Sequence, residues 1–314
     1  MRNKVMDLIQ KYNRIIIHRH TNPDGDAYGS QLGLKRLIEI NFPQKEVYAV
    51  GDTNVFSFLG EMDIIPDDYY KEALVVILDV CVSRLISDDR YTLGKEILVI
   101  DHHLNEPDFE CTYLIDSSHI ACAELVAGIF IDDGYEFDSI AANRFLTGII
   151  TDSGRFLYPN TTAVTLERTA FLVHKGADMN WIYTQLYTEE LNFKKLKGYF
   201  INNFLITKNN VAYMKNDKTV KDQFDVTSFT VSRAMVNQMS HIRNIEIWAN
   251  FTEEDNGEVS VELRSSKKSI VHIARKYGGG GHALACGCTI NSLDEVDNVL
   301  NDLDTFLERG SING

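Results

Sequence analysis

Ile97-Leu98-Val99-Ile100-Asp101-His102-His103 is an apolar run that stops on one carboxylate and two imidazoles. The run reads as a strand buried on both faces. Polar groups at the end of such a strand are costly unless something pairs or ligates them. Taken alone, the stretch also fits a capped turn with one satisfied core histidine. Three other apolar runs end the same way. Arg14-Ile15-Ile16-Ile17-His18 leads to His20, Asp24 and Asp26; Ala73 to Leu78 ends on Asp79; Leu146 to Ile150 ends on Thr151-Asp152.

The first three runs alternate with helical periodicity. Met1 to Asn13 reads as a short amphipathic helix, Ala27 to Ile40 carries a helical period, and Val47 to Val50 is a further short strand. Cys122 to Ile131 and Ser139 to Ile150 also read as helices. Strand–helix alternation predicts an α/β domain with a doubly wound, mainly parallel sheet. In such sheets ligands bind beyond the carboxyl ends of the strands, where these polar residues fall. The expected first domain is 1–182, followed by a helical linker over 183–208 that carries Lys194, Lys195 and Lys197. A smaller α/β domain is expected over 209–314. Its expected strands are Val211 to Met214, Val226 to Val231, Ile245 to Phe251 and Val259 to Arg264, with helices over Ser232 to Met239 and Ile270 to Tyr277. Asp255-Asn256-Gly257 reads as a hairpin turn.

Composition narrows the class. The chain has 314 residues, 44% of them hydrophobic, and a formal charge of -14. It can bury one large core or two ordinary ones. The negative balance argues against broad binding to long duplex nucleic acid, which needs a basic face, but not against a short anion in a local positive pocket. Five cysteines without a CxxC pair suit a reducing cytoplasm better than a disulfide scaffold. No apolar stretch reaches 18 residues and the N-terminus does not read as a signal peptide, so no membrane association is expected.

Two constellations carry the chemistry. His20-x-x-Pro23-Asp24-x-Asp26 places two carboxylates in a turn behind a histidine; the bland alternative is a turn that caps the next helix. Asp79 and Asp152 could each be a turn residue or helix cap. Jointly, five carboxylates and three histidines fall on one rim. Oxygen and nitrogen ligands without thiolates favour manganese, magnesium or iron over structural zinc, and the ligands suffice for two metals sharing a carboxylate. The second constellation is Gly278-Gly279-Gly280-Gly281-His282. One glycine suffices for a helix C-cap; four permit backbone amides to approach an anion. Arg264, Ser265, Ser266, Lys267 and Lys268 supply cations and hydroxyls nearby. A flexible solvated loop is the alternative.

These motifs, in this order and spacing, resemble those of the DHH phosphoesterase superfamily, and Gly278 to His282 with Ala285 and Gly287 resembles the glycine signature of the DHH-associated C-terminal domain. The likeness covers essentially the whole chain. His18-Arg19-His20, Tyr28-Gly29-Ser30-Gln31 and Gly154-Arg155-Phe156 resemble in particular the NrnA type, the oligoribonucleases (nanoRNases) and pAp phosphatases. The resemblance implies a phosphoesterase with two divalent ions, Mn²⁺ or Mg²⁺, in an interdomain cleft. It implies His20 and Asp24 at one metal, Asp26, His102 and Asp152 at the other, and Asp79 bridging both. His103 would face the scissile phosphate, oriented by Asp101. Arg264, Ser265, Gly279, Gly280, Gly281 and His282 would hold a terminal phosphate, with Arg84 and Arg155 as further phosphate contacts. The expected substrates are short oligoribonucleotides, pAp (adenosine 3′,5′-bisphosphate) or dinucleotides, and a homodimer is allowed. The alternatives are a phosphodiesterase for cyclic or linear dinucleotides and a catalytically silent nucleotide sensor. Val80-Cys81-Val82-Ser83 departs from the family's Thr-Ala-Asn after the motif aspartate and bears on substrate preference.

Overall fold

The computed structural model describes residues 2–52 and 56–312. The chain divides into two compact units, Met1–Thr188 and Glu189–Gly314. The first contains α1 (Arg2–Lys11), β1 (Arg14–His18), α2 (Gly25–Asn41), β2 (Glu46–Ala49), β3 (Leu74–Leu78), β4 (Glu96–Asp101), β5 (Thr112–Ile115), α3 (Cys122–Asp132), α4 (Ser139–Asp152), α5 (Ala163–His174) and α6 (Met179–Tyr187). The strands form one sheet in the order β2-β1-β3-β4-β5. Every pairing is parallel.

Residues of one strand alternate between two cores, which is why the strands read as unbroken apolar runs. Ile15, Ile17, Val76, Leu78, Leu98 and Ile100 face the α-helices. Ile16, Val75, Ile77 and Val99 face Val50, Ile65, Tyr70 and Tyr91, which lie on loops and short 3₁₀ turns. Each such side chain, fully buried, contributes about 1.5–3 kcal/mol; a charge at Val99 would open the second core. Sequence connectivity reverses direction between β1 and β3, the place where open α/β sheets leave a crevice.

Helices α2 and α4 approach closely enough that a Cβ on Gly29 would lie 2.4 Å from the Arg144 carbonyl oxygen, and one on Gly148 would lie 2.6 Å from Asp26 Oδ1. The two glycines therefore let the α2 carboxylate and the end of α4 share one rim of the sheet. The short strand β5 and helix α5 are not apparent from periodicity. Helix α4 extends through Asp152, so this residue terminates a helix and is not in a turn before Gly154.

The second unit contains α7 (Leu191–Asn203), β6 (Leu205–Ile206), β7 (Val211–Asn216), α8 (Thr219–Phe224), β8 (Ile247–Glu253), β9 (Val259–Ser265), α9 (Val271–Lys276), β10 (Gly280–Gly281), β11 (Ala285–Ile290) and α10 (Val296–Ile312). Its sheet runs β10-β11-β9-β8-β7-β6, antiparallel except for β7 with β8. The hairpin turn at Asp255-Asn256-Gly257 forms, with Gly257 at φ 87°. Val226 to Val231 is not a strand. It enters a helical stretch with a π-turn at Thr230–Ala234, because Asn250 Nδ2 binds the Val231 and Ser232 carbonyls and removes them from any ladder. In place of one connecting helix over 183–208 there are two. Ile182 of α6 belongs to the first core, whereas Leu196 and Phe200 of α7 belong to a core of the second unit. Among the described residues no helix is long and apolar enough to cross a membrane.

Candidate metal centre

The rim at the carboxyl ends of β1, β3 and β4 gathers two sets of ligand-type atoms around one carboxylate. His20 Nε2 lies 3.8 Å from Asp24 Oδ1 and 3.5 Å from Asp79 Oδ2. His102 Nε2 lies 3.4 Å from Asp79 Oδ1, 3.4 Å from Asp152 Oδ2 and 3.8 Å from Asp26 Oδ2. Each trio (His20, Asp24, Asp79 and Asp26, His102, Asp152) has its ligand atoms within 4.8 Å of one another, and His103 joins the second side in a further such group with Asp79 and His102. Asp79 offers one oxygen to each side. Its backbone is left-handed at φ 60°, a conformation that Asp and Asn tolerate better than most residues, and its N–H is bound by the Ile100 carbonyl at 3.1 Å.

The local structure aims each ring. His20 Nδ1 is 2.7 Å from the Thr21 carbonyl and His102 Nδ1 is 3.3 Å from the His119 carbonyl. Donation from Nδ1 leaves Nε2 as the unprotonated atom of a neutral ring. Asp24 is both the N-cap of α2, accepting from the Asp26 and Ala27 amides at 3.0 Å, and a neighbour of His20. Asp26 accepts from the Cys122 and Ala123 amides at 2.7 and 2.8 Å, and so caps α3 from another helix. His103 differs. Its Nδ1 is held 2.7 Å from Asp101 Oδ1, and its side chain is 53% exposed, which leaves Nε2 for an incoming group.

The donor set fits divalent cations. Asp79 Oδ1 and His102 Nε2 are both buried without a hydrogen-bond partner, an arrangement that costs stability unless a ligand supplies the missing interaction. The electrostatics agree. Burial, then repulsion from Asp24 and Asp79, pushes the Asp152 carboxyl up to about 7. Burial, then Asp79 and Asp152, holds the Asp26 carboxyl well above the usual carboxylate range. Burial works against charge on His20, but Asp24 and Asp79 outweigh it and raise the imidazole to about 10. Asp101 raises His103 to about 9. The site is thus crowded with carboxylates and takes up protons where positive ions would serve.

A pocket of about 330 Å³ opens above these groups, lined by His20, Asp24, Asp79, His103 and Asp152 with Cys81 at its wall. Burial pushes the Cys81 thiol up to about 12, so Cys81 acts there as apolar wall and not as a nucleophile. Arg84 and Arg155 do not line this pocket. Arg84 is exposed on a 3₁₀ turn, and Arg155 stacks on Tyr187 at 5.2 Å. Behind the site is a network that motif reading passes over. His119, whose carbonyl fixes His102, has its Nδ1 3.0 Å from Glu124 Oε1, and Glu124 Oε2 accepts from Thr165 Oγ1 at 3.0 Å. Glu124 was detectable as the one charged residue in the otherwise apolar helix Cys122 to Ile131.

The second unit has a polar pocket of about 620 Å³ around the glycine loop, lined by Arg233, Glu262, Arg264, Gly279, Gly280, Gly281 and His282 among others. Gly279 is required by packing, since a Cβ there would lie 2.1 Å from the Gly287 carbonyl oxygen. Gly280 is not: nothing lies within 4 Å of where its Cβ would be, so a side chain would only fill the space above the loop. Ser265 is outside this pocket. Its buried hydroxyl accepts from the Lys267 and Lys268 amides. Both lysines pair with Glu246 at 3.8 and 3.2 Å, so the expected basic turn facing the loop reduces to Arg264. Arg233 and Glu262 were not expected from the sequence; they lie on separate elements and share no motif.

Residues 14–149 match the DHH family, N-terminal domain, and residues 212–309 match the DHHA1 domain. The chain is 36% identical over 310 residues to the bifunctional oligoribonuclease and PAP phosphatase NrnA of Bacillus subtilis, covering 98% of each. It is 35% identical over 306 residues to the protein of the same name from Mycoplasma genitalium, covering 95% of each. Among solved structures it resembles an exopolyphosphatase-related protein from Bacteroides fragilis, with a TM-score of 0.77, 25% identity and coverage of 98% and 97%.

Proposed function

Because the chain belongs to the DHH family of metal-dependent phosphoesterases, we propose that it hydrolyses short oligoribonucleotides to mononucleotides and pAp to AMP and phosphate. The observation that carries this reading is the Asp79 carboxylate set between two ligand trios, with buried Oδ1 and His102 Nε2 lacking partners. His20, Asp24 and Asp79 would hold one divalent ion and Asp26, His102, Asp152 and Asp79 the other, with Mn²⁺ preferred to Mg²⁺ for the nitrogen ligands. Bound there, the ions supply Lewis acidity toward phosphoryl oxygens and a nucleophile at neutral pH.

The protein's own groups do the rest. His103, whose imidazole Asp101 raises to about 9, presents Nε2–H to a phosphoryl oxygen or to the leaving oxygen as general acid. Asp101 fixes the ring through Nδ1 and its backbone amide through the same oxygen. Arg264, Gly279, Gly280, Gly281 and His282 bind a phosphate that does not react. The acidic surface charge selects short ligands over long duplexes.

The test is turnover of pAp and of a 5′-phosphorylated RNA dimer with manganese, for the wild type and Asp79→Asn. Phosphate from the first substrate and mononucleotides from the second, by the wild type alone, are expected. Equal turnover by the variant would exclude the shared-carboxylate site. No turnover of either substrate by the wild type would exclude the substrate assignment.

A further inference from the structure

Phe229 is 64% exposed and belongs to neither apolar cluster of the second unit. A single exposed ring needs no explanation. The backbone beneath it does. Phe229 immediately precedes the π-turn Thr230–Ala234, and π-turns concentrate at functional sites. Holding this one in place takes buried polar groups: Asn250 Nδ2 donates to the Val231 and Ser232 carbonyls, both at 2.7 Å, and Asn250 Oδ1 accepts from Asn216 Nδ2 at 2.8 Å. Ser232 Oγ is 3.1 Å from Ser260 Oγ. Asn216 and Asn250 are both fully buried. Buried amides are unfavourable without such partners, and here they are committed to the shape of a surface turn.

One turn of helix places Arg233 beside Phe229, its guanidinium carbon 5.5 Å from the ring centroid. Arg233 Nε is 2.9 Å from Glu262 Oε1, while Glu262 Oε2 is 3.0 Å from a terminal nitrogen of Arg264. One carboxylate therefore ties Arg233 and Arg264 to the same wall of the glycine-loop pocket. Arg233 thus lies against the exposed ring on one side and, through Glu262, against the lining of the phosphate-type pocket on the other.

We propose that Phe229 and Arg233 form a stacking surface for the nucleobase of a nucleotide whose phosphate occupies the glycine-loop pocket. The inference rests on the phosphate reading of that pocket given above. A phosphate alone has no use for an aromatic ring; a base stacks on both phenyl and guanidinium planes. Stacking is tolerant of base identity, so the surface would favour nucleotides over other phosphates without selecting one base.

The full-length, manganese-loaded chain is titrated with AMP and with ribose 5-phosphate, which differ by the base alone. Phe229→Ala is expected to weaken AMP roughly tenfold and ribose 5-phosphate less than twofold, and Phe229→Trp to restore AMP. Arg264→Ala is expected to weaken both. Undiminished AMP affinity in Phe229→Ala, or equal losses of both probes, overturns the stacking surface while the Arg264 result leaves the phosphate pocket standing. Arg264→Ala binding both probes as the wild type does overturns the phosphate reading and this inference with it.

Discussion

Replacing Asp79 with Asn tests the metal centre without relying on turnover. The left-handed φ of 60° at this position suits Asn and would strain Ala, so the amide preserves the backbone and its bond to the Ile100 carbonyl while removing one charge. In the metal-free protein that charge raises the proton affinity of both Asp26 and Asp152. The same charge also favours the imidazolium of His20, so the two effects oppose each other and the metal-free variant serves as its own baseline for the metal-dependent rise. In the wild type, metal at a hundredfold excess over its dissociation constant adds about 2.7 kcal/mol per site, or about 5 for two. For a unit of this length each kcal/mol moves the midpoint by about 2–4 °C, so manganese should raise it by about 10–20 °C. In the variant the position between His20 and His102 keeps a single neutral oxygen in place of a charged, two-oxygen carboxylate, so most of that rise should vanish at the same metal concentration. Scanning calorimetry with and without chelator measures all four states. A variant that keeps the full rise would refute the bridging role of Asp79.

Three further outcomes are expected. His103→Ala should lower kcat about 10²- to 10³-fold with manganese affinity, read by calorimetric titration, changed little, because its Nδ1 is committed to Asp101; a large loss of metal would instead make it a ligand. Glu124→Gln should weaken manganese about tenfold by loosening the His119 carbonyl that orients His102, and unaltered titrations would show the network to be structural only. Asp138 caps α4 through the Ala141 amide at 2.9 Å and pairs with Arg36; although burial opposes it, these partners hold the carboxyl below its usual range. A lowered carboxyl contributes stability above its unfolded value that is lost as pH falls through the folded one. Asp138→Ala should thus cost about 1 kcal/mol at pH 7, and the difference in urea unfolding should shrink below about pH 4.

The first unit was legible because its central strands β1, β3 and β4 are largely buried and lead directly into ligand-type residues. In Ile97 to Ile100 nothing competes with the apolar signal, and Asp101-His102-His103 can then only lie at the strand's end. Strand β5 was invisible for the opposite reason: Thr112 to Ile115 is four residues long, with Tyr113 exposed, at the edge of the sheet. The second unit misled where buried polar side chains replaced periodicity. Val226 to Val231 has strand composition, but a carbonyl claimed by Asn250 cannot join a ladder, and Asn250 lies 19 residues beyond Val231. The pairing of Arg233 and Arg264 through Glu262 was equally hidden, since it joins a turn to a strand with no shared spacing.

Asp24 and Asp26 show why the bland and the functional readings of a motif need not compete. Read alone, Asn22-Pro23-Asp24-Gly25 is a turn that caps a helix, and Asp24 does cap α2. Asp26 caps α3, whose own N-cap, Ala121, offers no side-chain acceptor. Each carboxylate retains lone pairs beyond those given to backbone amides, and the amides restrict its rotation so that the remaining ones point toward His20 or His102. Capping thus positions the ligands before any cation arrives, and it draws the start of α2, the start of α3 and, through Gly29 and Gly148, the end of α4 to the same rim. A substitution at Asp26 therefore cannot separate fold from function, whereas Asp79, which accepts no backbone amide among the described residues, can. That difference is what makes Asp79 the informative position.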